Sequence, residues 1–377
     1  MTRIALVCLL ALAAAAPAAS ASASGAEPVP AVEAHAYLIE DARTGEVLAS
    51  SNAHERVQIA SITKLMTVLL TLEHHKLTDV VSVDRRAADV GEEAIELHAG
   101  QQITVHDLLE GALIQSANDA ADALALSMAP SYPAFAAMMN AKAAQLGLSD
   151  THYVRPDGLD ATGEYSSAAD VTKLARIVMR NPFVRETVRM SSATIADGET
   201  LHTWNDLLGS FPGIIGVKTG HTDDAGWCQV AAAVGPGVTV YVTLLGSPSR
   251  AQRNDDLRAL LIWGLAQFRV VPAVQAARTY AEVQLPYGKG RLPLVAAKPV
   301  NTVARLGGTL TETVTAAAGT SLPVTAGTVL GRVTVTDGGR VVGRSDLVAA
   351  RTINKPGLLG RLGWYAGRTL HHLAHLI

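Results

Sequence analysis

Ser61-Ile62-Thr63-Lys64, Ser116-Ala117-Asn118 and Lys218-Thr219-Gly220 stand in that order along the chain, and each carries groups that acyl transfer needs. A serine hydroxyl is a weak nucleophile until a base takes its proton. A lysine three residues on meets it on the same helix face. That lysine serves as the base only if its ammonium is destabilised, and burial beside Leu65 and Met66 and the positive helix end both push that way. Lys218 adds a second cation. Ser116 can relay a proton to a leaving group, and the Asn118 amide can orient a lysine and a substrate amide. Thr219 offers a hydroxyl and Lys218 a charge to a carboxylate, while Gly220 lets a substrate backbone lie against the strand. The backbone N–H of His221, with that of Ser61, could form an oxyanion hole.

Each motif also has a plain structural use. Ser61 could be an ordinary N-cap with Lys64 in solvent. Ser116 or Asn118 could cap the alanine-rich helix beginning near Asp119. Lys218–Gly220 could be a strand end and its turn. A serine with lysine at this spacing arises roughly once by chance in a chain of this size. Their order and flanking sequence favour the chemical reading.

The elements that must hold these groups are legible around them. Ala34 to Asp41 and Glu46 to Ser50, with Arg43-Thr44-Gly45 between, read as strand, turn, strand. An apolar helix runs from Ser61 to about His75. A helical region spans Thr104 to Met128, with Ser116 and Asn118 between two stretches of it. Pro133 to Leu146, Ala168 to Arg180 and Arg250 to Phe268 also read as helices. Gly226 to Val234 and Val238 to Leu245 read as strands. Strands at both ends with helices between predict one sheet in which the first and last strands are neighbours. Gly213 to Val217 reads as an edge strand or its approach.

Near Val271-Pro272 the texture changes to short β-branched runs, with a hairpin signal at Asp337-Gly338-Gly339. This reads as a separate all-β unit over 275–352, following a first domain over 30–271. After Pro356 the apolar residues step by three or four around Trp364 and Tyr365, with Arg361 and Arg368 among the polar positions. That is an amphipathic helix over 356–377, suited to a membrane surface or to the protein's own surface. His371, His372 and His375 have metal-ligand spacing, but on this interfacial helix they are not taken as a metal site. No metal and no cofactor is expected.

Composition narrows the class. A formal net charge of −3 and 4% aromatics argue against nucleic-acid binding. Residues 1–23 read as a secretory signal peptide: Arg3, an apolar run from Ile4 to Ala16, then alternating alanine and serine. Cys8 leaves with that segment. Cys228 then remains as the one cysteine, in an apolar run that favours an inert buried thiol.

The sequence around the three boxes resembles the D-alanyl-D-alanine carboxypeptidases, low-molecular-mass penicillin-binding proteins of peptidase family S11. The similar stretches are Ala60 to Thr67, Ser116 to Ala120, Gly216 to Cys228, and the loop segments Gly158-Leu159-Asp160 and Tyr165 to Asp170. The resemblance runs from about Ala34 to Ala350. It implies an α/β (α+β) domain of the serine β-lactamase and penicillin-binding-protein type, followed by a small all-β sandwich-like domain. It implies that Lys64 deprotonates Ser61, that Ser61 attacks the penultimate D-alanine of a peptidoglycan pentapeptide stem, and that water releases the shortened stem. Arg253 stands where the family places an arginine for the terminal carboxylate. β-Lactams are implied as mimics, and the tail as an anchor on the periplasmic face of the cytoplasmic membrane. Two departures bear on loop contacts and fine specificity: Arg155-Pro156-Asp157, where many members have Asn-Pro, and Trp204, where some carry a basic residue. A class A β-lactamase is disfavoured because Glu164 lacks an asparagine four residues on. A D,D-endopeptidase is disfavoured by the β domain, and an inactive wall-binding module by three intact boxes.

Overall fold

A computed structural model describes residues 27–374, with side-chain environments as far as Ala366. The signal-peptide reading falls outside these residues, as do the side chains of His371, His372 and His375. Short, largely apolar runs, most of them buried on both faces, build the central sheet. Strands β1 (Ala36–Asp41), β2 (Val47–Ser51), β3 (Ile214–Thr222), β4 (Gly226–Gly235) and β5 (Val238–Ser247) are antiparallel in the order β2-β1-β5-β4-β3. The first strand pairs with the last, Ala36 opposite Leu245 and Ile39 opposite Val242. Successive side chains point to opposite faces. Ile39, Val240 and Val242 therefore pack with Leu257, Leu260 and Leu261 on one face, whereas Leu38, Tyr241 and Leu245 join the large core on the other.

Besides a single turn at Arg85–Ala88, the helices packed around this sheet are α1 (Lys64–His74), α2 (Val105–Glu110), α3 (Asn118–Met128), α4 (Tyr132–Leu146), α5 (Ala168–Val178), α6 (Pro182–Thr187) and α7 (Arg250–Ala266). The helical region expected from 104 to 128 is interrupted. A wide π turn, Gly111–Gln115, ends at Ser116 in the left-handed conformation (φ 68°), and α3 restarts at Asn118. At Gly111 a Cβ would lie 2.9 Å from the Ile95 Cδ1 methyl and 3.3 Å from Ala120 Cβ, so a larger residue would have to push the Ile95 side chain aside.

Beyond α7 come β6 (Phe268–Val274), β7 (Thr279–Gln284), β8 (Arg291–Ala296), β9 (Val300–Arg305), β10 (Leu310–Ala316), β11 (Val329–Asp337) and β12 (Arg340–Ala349). β6 pairs with β9, and the others form a sheet in the order β7-β8-β12-β11-β10. Their core, including Val283, Leu294, Val333, Val335 and Leu347, is distinct from the two cores above. Gly338 and Gly339 both adopt positive φ between β11 and β12, as the sequence predicted for that hairpin. A last helix, α8 (Leu358–Ala374), sets Trp364 and Tyr365 with their rings 5.6 and 6.2 Å from Tyr287, and leaves Leu358, Leu359 and Leu362 exposed. No helix among the described residues is long and apolar enough to cross a membrane.

Candidate active site

Ser61 does not sit in α1 itself. It lies in a 3-10 turn, Ala60–Thr63, that runs directly into α1. Side chains three apart eclipse in such a turn, and this brings Lys64 Nζ to 2.7 Å from Ser61 Oγ. The same Nζ donates to Asn118 Oδ1 at 2.7 Å and to the Asp157 carbonyl at 2.6 Å. An ammonium has three donors, so all are engaged. Lys64 is completely buried, and burial lowers its pKa to about 8 against the opposing pull of Asp157, Asp122, Glu164 and Asp119.

The left-handed turn at Ser116 brings its hydroxyl within 2.7 Å of Lys218 Nζ, which also donates to the Thr219 carbonyl at 2.9 Å. Lys218 is buried with no carboxylate in ion-pair range among the described residues. Burial first, and the Lys64 charge second, hold its pKa well below the ordinary lysine value. Burial thus disfavours the charge that the sequence has Lys218 offer to a carboxylate, and Arg253 is a further cationic side chain that lines the cleft.

A cleft of about 350 Å³ connects these groups. Ser61, Ser116, Asn118, Thr219, Gly220 and Arg253 all line it, and so do His221, Trp204 and Trp227. Strand β3 is the sheet's edge, as expected for the lysine box. A Cβ on Gly220 would lie 2.9 Å from the Ile59 carbonyl and 3.0 Å from Ser61 N, so only glycine lets β3 approach the Ser61 turn this closely. Arg253, 1% exposed, donates to Asp206 Oδ2 at 3.1 Å and stacks its guanidinium 5.5 Å from the Trp227 ring. Every sequence-predicted site residue thus lies in or against this one cleft, Lys64 and Lys218 supporting it from beneath.

Other contributors were not recognisable from the boxes. The Asp157 carbonyl fixes Lys64, while its carboxylate is held by Arg155 at 2.6 and 2.9 Å. That pairing is the local consequence of the Arg155-Pro156-Asp157 departure. Glu164 accepts hydrogen bonds from Thr63 Oγ1 at 2.8 Å and from the backbone N–H groups of Val154 and Arg155. It binds the 151–165 loop to the Ser61 turn and does not line the cleft. Gly158 closes the same junction: φ is +80°, and a Cβ would lie 2.2 Å from the Ala60 carbonyl. Trp204, the second departure, is cleft wall, with Arg250 stacked 4.9 Å from its ring. Cys228 is the buried thiol expected, its pKa pushed up to about 12 by burial.

A family model described as D-alanyl-D-alanine carboxypeptidase, peptidase family S11, matches residues 22–249, more than half of the chain. The chain belongs to this family. Among S11 relatives it is 30% identical over 366 residues to the D-alanyl-D-alanine carboxypeptidase DacD of Salmonella typhimurium, covering 89% of this chain and 90% of the relative. The S11 fold extends to solved structures. Penicillin-binding protein 5 from Haemophilus influenzae superposes with a TM-score of 0.64 at 26% identity, covering 88% of this chain and 100% of that one. Penicillin-binding protein D2 from Listeria monocytogenes, in its ampicillin-bound form, gives 0.58 at 31% identity over 63% of this chain and 99% of that one. As an S11 peptidase, the chain is a serine-type D-alanyl-D-alanine carboxypeptidase that works through an acyl-enzyme.

Proposed function

We propose that Ser61 is the nucleophile and Lys64 its general base in removal of the terminal D-alanine from peptidoglycan pentapeptide stems. The observation that carries this reading is the buried Lys64 Nζ, 2.7 Å from Ser61 Oγ, whose pKa burial lowers to about 8 so that its neutral amine can take the serine proton. Lys64 takes the serine proton as Oγ attacks the penultimate carbonyl. Ser116, backed by Lys218, passes a proton to the departing D-alanine nitrogen. Asn118 orients Lys64 and the substrate amide. Lys218, Thr219 and Arg253 receive the terminal carboxylate. Gly220 and His221 give the substrate backbone an edge to pair with. Water then hydrolyses the ester.

β-Lactams are expected to acylate Ser61, in keeping with the ampicillin-bound relative. The separate cores support a division into a peptidase domain over 30–271 and a β domain over 275–352. The signal-peptide pattern read in residues 1–23 supports export, and the exposed leucines of α8 support a peripheral attachment of residues 356–377 at the periplasmic face of the cytoplasmic membrane. Commitment of Glu164 to Thr63 speaks against its activating a deacylating water, and so against a class A β-lactamase. The test is release of free D-alanine from a pentapeptide, with mass-spectrometric location of bound penicillin. No release, or label on a serine other than Ser61, overturns the reading.

A further inference from the structure

The segment 154–159 offers α1 two successive carbonyls. Pro156 O accepts from Thr67 Oγ1 at 2.6 Å, and Asp157 O accepts from Lys64 Nζ at 2.6 Å. The backbone is held there by Glu164, which takes the N–H groups of Val154 and Arg155, and by the fixed φ of Pro156. The Asp157 carboxylate is a separate matter. It is fully buried, and a buried carboxylate stays ionised only with a cation or several donors beside it. Arg155 supplies the cation, with Nε and Nη2 at 2.9 and 2.6 Å from the two oxygens, and the Leu159 N–H adds a bond at 3.0 Å. None of the three hydrogen bonds of Lys64 goes to that carboxylate.

Burial alone would push the Asp157 carboxyl up, but hydrogen bonds from Arg155, then the charges of Lys64 and Arg155, hold it below the ordinary 3.8. Among the charges that favour the Lys64 ammonium, Asp157 comes first, followed by Asp122 and Asp119 of α3 and Glu164. Lys218 of β3 and Glu93 also act on Lys64. Glu164 is committed to Thr63, and Asp119 to the backbone N–H groups of Ile95 and Leu97. Asp157 is therefore the carboxylate best placed to keep Lys64 protonated, and thus idle as a base. We propose that Arg155 is a positioning residue for acyl transfer: by occupying both Asp157 oxygens it denies that carboxylate to Lys64, which meets the loop through a carbonyl alone and stays directed at Ser61. This rests on Lys64 being the base, as proposed above. The planar fork of arginine suits the task, since it grips a carboxylate by both oxygens where a lysine is a point charge.

The test is the pH profile of acylation by a fluorescent penicillin. In Arg155→Gln the Asp157 charge is left to Lys64, so the midpoint should move up by about one pH unit and the rate at pH 7 fall about tenfold. Arg155→Gln/Asp157→Asn removes that charge, and its midpoint should return to the native one. Asp122 titrates in the same range, so the shift should also appear when Arg155→Gln is made in an Asp122→Asn background. If the glutamine variant does not fold, Arg155→Lys decides: it keeps the charge without the fork, so the plateau rate should fall about fivefold at an unchanged midpoint. An Arg155→Gln profile that overlays the native one, a double variant shifted as far as the single, a shift that vanishes with Asp122→Asn, or an Arg155→Lys plateau equal to native overturns the assignment. A native profile flat from pH 6 to 9 would instead refute Lys64 as the base.

Discussion

Lys218 and Ser116 are joined by a 2.7 Å hydrogen bond in which both side chains are nearly closed off from solvent. The pair repeats, across the cleft, the relation of Lys64 to Ser61. In both, burial lowers the lysine's pKa, which makes Lys64 a readier base and Lys218, when protonated, a readier proton source than a free amine would be. The proposed chemistry then needs no histidine: one pair activates the nucleophile and the other attends the leaving group. Ser116→Ala should slow D-alanine release by about 10²- to 10⁴-fold, measured in single turnover. A variant within twofold of native would remove Ser116 from the relay.

The pH dependence of acylation follows from Lys64. It acts as base only when neutral, and its pKa is held at about 8 by burial. The acylation rate with a fluorescent penicillin should therefore rise about tenfold per pH unit below 8 and level off above it. Lys64→Ala should lose the acylation that Lys64 drives, and Ser61→Ala should carry no label at any pH. A rate flat from pH 6 to 9 in the native enzyme would contradict the assignment of Lys64.

Carboxylate capture is separable from the chemical step. Arg253 uses Nε and Nη2 toward Asp206 and Asn254. Arg253→Ala should raise KM for a D-alanyl-D-alanine peptide by about tenfold or more, since charge-assisted hydrogen bonds contribute about 1.5–3 kcal/mol. Penicillin acylation should fall less. Esterifying the peptide's terminal carboxylate should weaken turnover by the native enzyme and leave the variant nearly indifferent. Equal activity on acid and ester by the native enzyme would refute the capture model.

Asp122 gives a stability prediction. It is fully buried, and burial followed by the nearby Asp157 charge pushes its pKa well above the ordinary value of 3.8. The folded protein then holds a proton that the unfolded chain releases above about pH 4. Stability from this group is present at low pH and lost as pH rises toward the folded pKa. Asp122→Asn mimics the protonated form, so its melting temperature relative to native should improve progressively from pH 5 to pH 8. A difference independent of pH would show that Asp122 is ionised in the fold.

The tail prediction concerns α8. Leu358, Leu359 and Leu362 are 72%, 87% and 64% exposed. Chain truncated after Lys355 should retain peptide hydrolysis and lose co-sedimentation with anionic vesicles. If both forms sediment alike, attachment lies elsewhere.

Much of this was legible in sequence, and the reasons differ by residue. Strands β1, β4 and β5 declare themselves because each buries both faces and so reads as a short, largely apolar run bounded by turn residues. Ser61, Ser116 and Lys218 stand out because polar residues interrupt apolar runs. Asp157 was invisible in its role because what it gives Lys64 is a backbone carbonyl, which any residue type would carry. The π turn before Ser116 was hidden because helix periodicity persists through it. Asp206 holds Arg253, Arg250 and Asn254 together from 44 to 48 residues away in sequence, and no local pattern reports such a meeting.

The open edge of β3 has a cost that catalysis does not reveal. An unpaired strand edge is a template for any other extended chain, including another copy of the same protein. Here the edge cannot be sealed by a bulge, a proline or a neighbouring strand without closing the site. Protection has to come from the approach to it: the Ser61 turn seated against Gly220, and the charged Asp223 and Asp224 at the strand's exit. Replacing those two aspartates with apolar residues should therefore show as self-association at high protein concentration.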